Sequence, residues 1–168
     1  MSGKVNYGEL AMKIFLQILR VLFLLLIWNT SGQIGSEIGK SFAGSSNNPN
    51  RSIESIVKEM ADSVSKGLPQ TLNRDLSLIG VYAHGNTINY QLIAVNYVDG
   101  TASNELANQA VNMTKNAALT TMCTGKMAKY LKMGAIVIYH YYDSQGKYLR
   151  NLTIRTSYND CVQAGLVR

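Results

Sequence analysis

Residues 76 to 92 read Leu76-Ser77-Leu78-Ile79-Gly80-Val81-Tyr82-Ala83-His84-Gly85-Asn86-Thr87-Ile88-Asn89-Tyr90-Gln91-Leu92. The first eight are rich in β-formers. His84-Gly85-Asn86 is a turn signal, and Ile88, Tyr90 and Leu92 then alternate with polar residues. Together they predict a β-hairpin. A second hairpin follows downstream. Ala135 to Tyr142 is a strand pattern, Asp143 to Gly146 turns the chain, and Tyr148 to Thr156 returns as the partner strand. Helices precede each hairpin. Ile53, Ile56, Val57, Met60 and Val64 recur at helical spacing, and Gly67 and Pro69 stop that run. Asp99-Gly100 ends the first hairpin, and Ser103 can cap a second helix. Its expected apolar stripe is Leu106, Ala110, Met113, Ala117 and Met122, with a short helical piece from Lys126 to Lys132 ending at Gly134. The order α-β-β-α-β-β predicts an α+β fold. Its simplest packing is one antiparallel sheet with both helices on one face.

The chain has 168 residues, 46% apolar content and two prolines. That suits one domain plus an appendage, with enough length for a core. The formal net charge of +6 is scattered, with no run of five like charges. Lys115, Lys126, Lys129, Lys132, Arg150 and Arg155 make the C-terminal half basic. A solvated face, or one resting on anionic headgroups, accounts for them. No nucleic-acid-binding module is present, and no nucleic acid is expected as a partner.

The appendage lies at the N-terminus. Ile14 to Trp28 is apolar apart from Gln17 and Arg20, follows Lys4 and Lys13, and gives way to Asn29-Thr30-Ser31-Gly32. Basic start, apolar middle and polar end predict a signal-anchor over residues 1–31. Ala11 to Trp28 is 18 residues, or about 27 Å of helix against a hydrocarbon core of about 30 Å. Met12-Lys13 would also start such a segment, making residues 1–11 an upstream extension. Trp28 is the expected interfacial anchor, and Arg20 with the lysines would hold the N-terminus cytoplasmic. The expected topology is single-pass in the inner membrane with residues 51–168 as a periplasmic domain, or release to the periplasm if the segment is cleaved. Residues 32–50, rich in Gly, Ser and Asn, are the expected linker.

Cys123 and Cys161 are the two cysteines. In an exported protein they are expected to form a disulfide; the other reading is two buried thiols in a cytosolic protein. The chemistry of enzymes is missing from the pattern. His84 sits in a turn and His140 among tyrosines, neither with a companion at metal-ligand spacing. Glu54 and Glu59 do not share a helical face, and no phosphate loop, dinucleotide fingerprint or nucleophile elbow occurs. No catalytic residue, cofactor or metal is expected. Tyrosine is abundant, with ten copies. On alternation Ile136, Ile138, His140 and Tyr142 face one way, and Val137, Tyr139 and Tyr141 the other. Tyr139, Tyr141 and Tyr148 are the expected partner surface, against the alternative of ordinary half-buried strand residues.

Leu68-Pro69, Ile88-Asn89-Tyr90, Cys123, Gly134 before a Tyr-rich strand, Asp143-x-x-Gly146 and Cys161 carry a resemblance. Over about 90 residues from Pro69 to Cys161 the pattern resembles small Gram-negative exported domains such as the β-type pilotins of type II secretion. The resemblance implies a small sheet paired with helices and a disulfide. The chain departs from those pilotins in having no cysteine after the apolar run to carry a lipid. The expected role is a non-enzymatic, membrane-tethered periplasmic domain that binds an envelope protein, as an accessory of secretion or assembly machinery. The alternative is an immunity or exclusion protein that blocks a toxin or phage product. Oligomeric state is not legible.

Overall fold

The computed structural model describes residues 51–99 and 104–167, without the side chains of residues 73, 104–108 and 110. Helix α1 spans Ile53–Ser65, capped by the Ser52 side chain accepting from the Ser55 N–H at 3.3 Å. Its buried stripe is Val57, Met60, Ala61 and Val64, with Ile53 and Ile56 at the margin. Strands β1 (Gln70–Asn73), β2 (Leu76–His84) and β3 (Thr87–Ala94) follow. Helix α2 (Asn104–Thr124) and the short α3 (Ala128–Lys132) lead to β4 (Ile136–Tyr142), β5 (Ile154–Thr156) and α4 (Tyr158–Gln163). The sheet runs β1-β2-β3-β4-β5.

The hairpin quoted first forms in the register Leu76↔Ala94 to His84↔Thr87, turning at Gly85 with φ +56°. The wholly antiparallel sheet is corrected. β3 and β4 pair in parallel, Thr87↔Ile136 to Ile93↔Tyr142. A parallel return needs a crossover of a dozen or more residues, and the connection carrying α2 and α3 supplies it. Asn86 sets where β4 begins. Its carbonyl accepts from the Ile136 N–H at 3.0 Å, and its side chain donates to the Gly134 carbonyl at 2.6 Å. The second hairpin is only partly formed. A 3-10 turn at Arg150–Leu152 interrupts the return, leaving a single bridge, Tyr142↔Tyr148, and the short β5.

The helices cover one face. α1 packs on β2 and β3, and α2 and α4 pack together beside β5. Leu78, Ile88, Leu92, Val137, Tyr139 and Leu131 share one core cluster with the stripe of α1. The expected stripe of α2 is rotated: Thr114, Ala118 and Cys123 are buried, while Met113 is exposed. This helix is rich in small and polar residues, so its sequence fixes its facing weakly. A disulfide joins Cys123 to Cys161, with Cα atoms 5.4 Å apart, and so ties α2 to α4. The first turn of α4 is closed by Asp160, whose carboxylate accepts from the Ser157 N–H and hydroxyl at 2.6 Å each.

The turn after β4 is organised by the buried Asp143. Its carboxylate accepts from the N–H groups of Lys147 at 2.8 Å, Gln145 at 3.0 Å and Asp99 at 3.1 Å. Burial pushes this carboxyl up, but the three N–H groups and the Lys147 charge outweigh it and hold it below the ordinary 3.8. A carboxyl depressed in the fold lends stability that is full above its unfolded pKa and is lost as pH falls through the folded one. Asp143→Asn is therefore expected to lower the melting temperature at pH 7. The gap to wild type should narrow as pH drops below about 4, and melts at both pH values check it. A gap independent of pH would remove the charge from this account.

The expected membrane topology is corrected. Among the described residues no helix is long and apolar enough to cross a membrane. Arg20, Trp28 and the rest of the expected signal-anchor, with the linker at 32–50, lie outside the described residues. The membrane-tethered function, the membrane as partner and the single-pass inner-membrane location have no described helix to rest on and are withdrawn.

Candidate partner-binding face

Strand alternation gives the sheet two chemically different faces. On β4, Val137, Tyr139 and Tyr141 are buried beneath the helices, and Ile136, Ile138, His140 and Tyr142 are half-buried on the opposite face, left open among the described residues. The expected tyrosine surface is corrected accordingly. Tyr139 and Tyr141 are only 4% and 5% exposed. Tyr139 stacks on Tyr90 with ring centroids 5.2 Å apart, and its hydroxyl donates to the Met122 sulfur at 3.7 Å. Burial pushes the phenols of Tyr90, Tyr139 and Tyr141 well up, so they stay neutral. The alternation was legible; which side the helices would cover was not. Tyr148 lies on the open side, 39% exposed.

Cross-strand register lays out the open face in rows. One row is Tyr82, Asn89, Ile138 and Arg155, and the next is Gly80, Gln91 and His140. A third is Ser77, Ile93, Tyr142 and, through the isolated bridge, Tyr148. Gly80 leaves room here for the Gln91 side chain. A Cβ at this position would run into the Gln91 side-chain oxygen, so the absence of a side chain lets Gln91 lie across β2. Gln91 in turn donates to the Tyr142 hydroxyl at 3.4 Å.

His140 ties these rows together. Its Nε2 is 3.0 Å from the Asn89 side-chain oxygen, and its Nδ1 is 3.2 Å from the Tyr148 hydroxyl. An amide oxygen only accepts, so Nε2 carries the proton and Nδ1 accepts from Tyr148. The Tyr148 hydroxyl also meets Thr153 Oγ1. Tyr148 packs against Tyr142 at 5.4 Å and His140 at 5.9 Å between ring centroids. Burial lowers the His140 pKa, which favours the neutral ring this chain of bonds uses. Among the described residues no carboxylate is hydrogen-bonded to either nitrogen. Among the described residues no group of three His, Cys, Asp or Glu side chains could hold a metal. What the face offers is a firmly held surface of aromatic, aliphatic and amide groups, with Arg155 at one border. Sequence reasoning placed neither Tyr82 nor Asn89 in a partner surface, Asn89 entering only through the resemblance. The alternation of β3 held the signal for Asn89 once the covered side is known, whereas for Tyr82 the bulge between Leu78 and Gly80 shifts the alternation of β2 by one residue.

No family model matches the chain. No curated protein matches it either. Solved structures do. A Pseudomonas aeruginosa protein thought to be secreted superposes with a TM-score of 0.53 at 20% identity, over 65% of this chain and 92% of its own. The pilotin of the Vibrio vulnificus type 2 secretion system superposes with a TM-score of 0.51 at 18% identity, over 65% of this chain and 91% of its own. The fold is pilotin-like. The resemblance drawn from the residues between Pro69 and Cys161 thus holds at the level of fold. A pilotin-like fold leaves the site to be argued from its own residues.

Proposed function

We propose that this pilotin-like domain is a non-catalytic protein-binding module of an oxidising compartment, with its open sheet face as the docking surface. The single observation that carries the reading is that face. Tyr82, Ile138, His140 and Tyr142 are presented on paired strands, Tyr148 stands across an isolated bridge from Tyr142, and Asn89 and Gln91 cross-brace them. Tyrosine gives large contact area at low entropic cost, and a rigid scaffold reduces what ordering a partner takes away. The disulfide supports the compartment, since such bonds persist where thiols are not kept reduced. Both nitrogens of His140 are engaged by neutral partners, which supports a structural ring over a general base. The Vibrio vulnificus similarity makes subunits of a secretion system the first proteins to look for.

The test is site-specific photocrosslinking in the native host. A photoreactive phenylalanine in place of Tyr148 is expected to yield one discrete heavier adduct with another protein. The same group at the exposed Gln163 of α4 is expected to yield none, and adding Tyr142→Glu should abolish the Tyr148 adduct. Equal adducts from both positions, or none from position 148, would overturn the open face as the docking surface.

A further inference from the structure

Helix α3 turns its two sides to different surroundings. Leu131 is fully buried in the core cluster, and the helix packs against α2 and α4. On the side away from Leu131, Lys126 in the preceding turn, Lys129 and Lys132 are all exposed at three-residue spacing. Met133, next to Lys132, is 51% exposed. Residues three and four apart are neighbours on a helical surface, so three ammonium groups and one bare methionine side chain share a face. The Lys129 ammonium stands 4.6 Å from the centre of the Tyr130 ring, which holds it in place.

The chain is poor in groups to answer this charge. No Asp or Glu occurs from residue 106 to residue 142. Among the described residues no carboxylate pairs with Lys126, Lys129 or Lys132. The described carboxylates are committed elsewhere. Glu59, Asp62, Asp75, Asp99 and Asp160 pair with other cations, Asp143 holds its three N–H groups, and Glu54 lies in the first turn of α1. The residues not described add Glu9, Glu37 and Glu105 against five cationic side chains. A second copy carries the same net charge of +6 and is repelled. The end of α3 does not need the lysines either, because the N–H groups of Met133, Gly134 and Ala135 already reach its last carbonyls. A bilayer would need a broad apolar face to bury, and one methionine does not supply it.

We propose that Lys126, Lys129, Lys132 and Met133 dock an acidic segment of another protein, with its carboxylates on the ammonium groups and an apolar side chain on Met133. The partner chemistry follows from charge complementarity, and the small apolar centre gives the ion pairs a place partly shielded from water. This surface is built on the helix-covered side of the sheet and shares no residue with the open face. It goes beyond that reading, and the two proposals fail separately.

A water-soluble carbodiimide joins a lysine amine to a carboxylate that lies in ion-pair contact, and peptide mass spectrometry reads both ends of the new amide. Applied to the full chain in its native host, it is expected to couple Lys126 to an Asp or Glu of another protein. Lys66, exposed at the end of α1, is expected to give no such adduct. Lys129→Gln with Lys132→Gln should cut the Lys126 adduct at least tenfold, and Lys129→Arg with Lys132→Arg should retain it. The proposal is overturned if Lys126 gives no protein adduct, if Lys66 gives as much, or if the coupled carboxylate belongs to this chain or a second copy. It is overturned equally if the glutamine pair leaves the yield unchanged, or if the arginine pair loses it as fully as the glutamine pair. The substituted lysines are exposed, so misfolding does not confuse the outcome.

Discussion

Replacing both Cys123 and Cys161 with alanine is expected to lower stability by about 3 to 4 kcal/mol. The bridge spans a sequence separation of 38, and a loop of that length loses considerable freedom in the unfolded chain when closed. The folded side matters as well. α4 has six residues, too few to persist as a helix without tertiary support. Its Cys161 is 1% exposed against Cys123 at 2%, so the bond anchors the chain's last turns to α2. A domain of this size has roughly 5 to 15 kcal/mol in all, so the loss would be a large share. Urea unfolding of the double variant beside the oxidised wild type measures it. A difference below about 1 kcal/mol would mean that packing alone holds α4 in place.

The second large effect separates the two faces of the sheet. Ile88→Ala is expected to cost about 3 to 4 kcal/mol, and Ile138→Ala under about 1 kcal/mol. Both residues lie in the central strands, and both substitutions remove the same atoms. Ile88 is fully buried against the helices in the cluster with Val137 and Val57, so truncation leaves a cavity as well as lost transfer energy. Ile138 faces the half-open side between Asn89 and Arg155, where solvent fills what is removed. Equal costs would mean that the face carrying Ile138 is itself covered in the folded protein. The proposed docking surface would then lose its basis.

Much of the local structure is legible in the sequence. The helix through Val57, Met60 and Val64, the hairpin around Gly85, the strand from Ile136 and the turn at Asp143 follow from periodicity and turn chemistry. β1 was not legible, because Gln70-Thr71-Leu72-Asn73 carries no strand signature of its own and pairs because β2 is beside it. α4 was missed although the Ser157–Asp160 capping pair stood in the sequence, because six residues show too little periodicity to register. The partner surface was half legible. Alternation separated Tyr139 and Tyr141 from His140 and Tyr142 correctly, and the choice between the two sets failed.

The sequence by itself determined the positions of α1, the first hairpin and β4, and which side chains of β4 share a face, because those follow from short-range periodicity and turn residues, and its two cysteines left one possible pair. Only the tertiary structure decided that β4 runs parallel to β3 and that the helices settle over Val137, Tyr139 and Tyr141. A strand alternates identically in either direction. The covered side is chosen by how the crossover helices return to the sheet, an outcome of long-range packing that no local stretch of residues encodes.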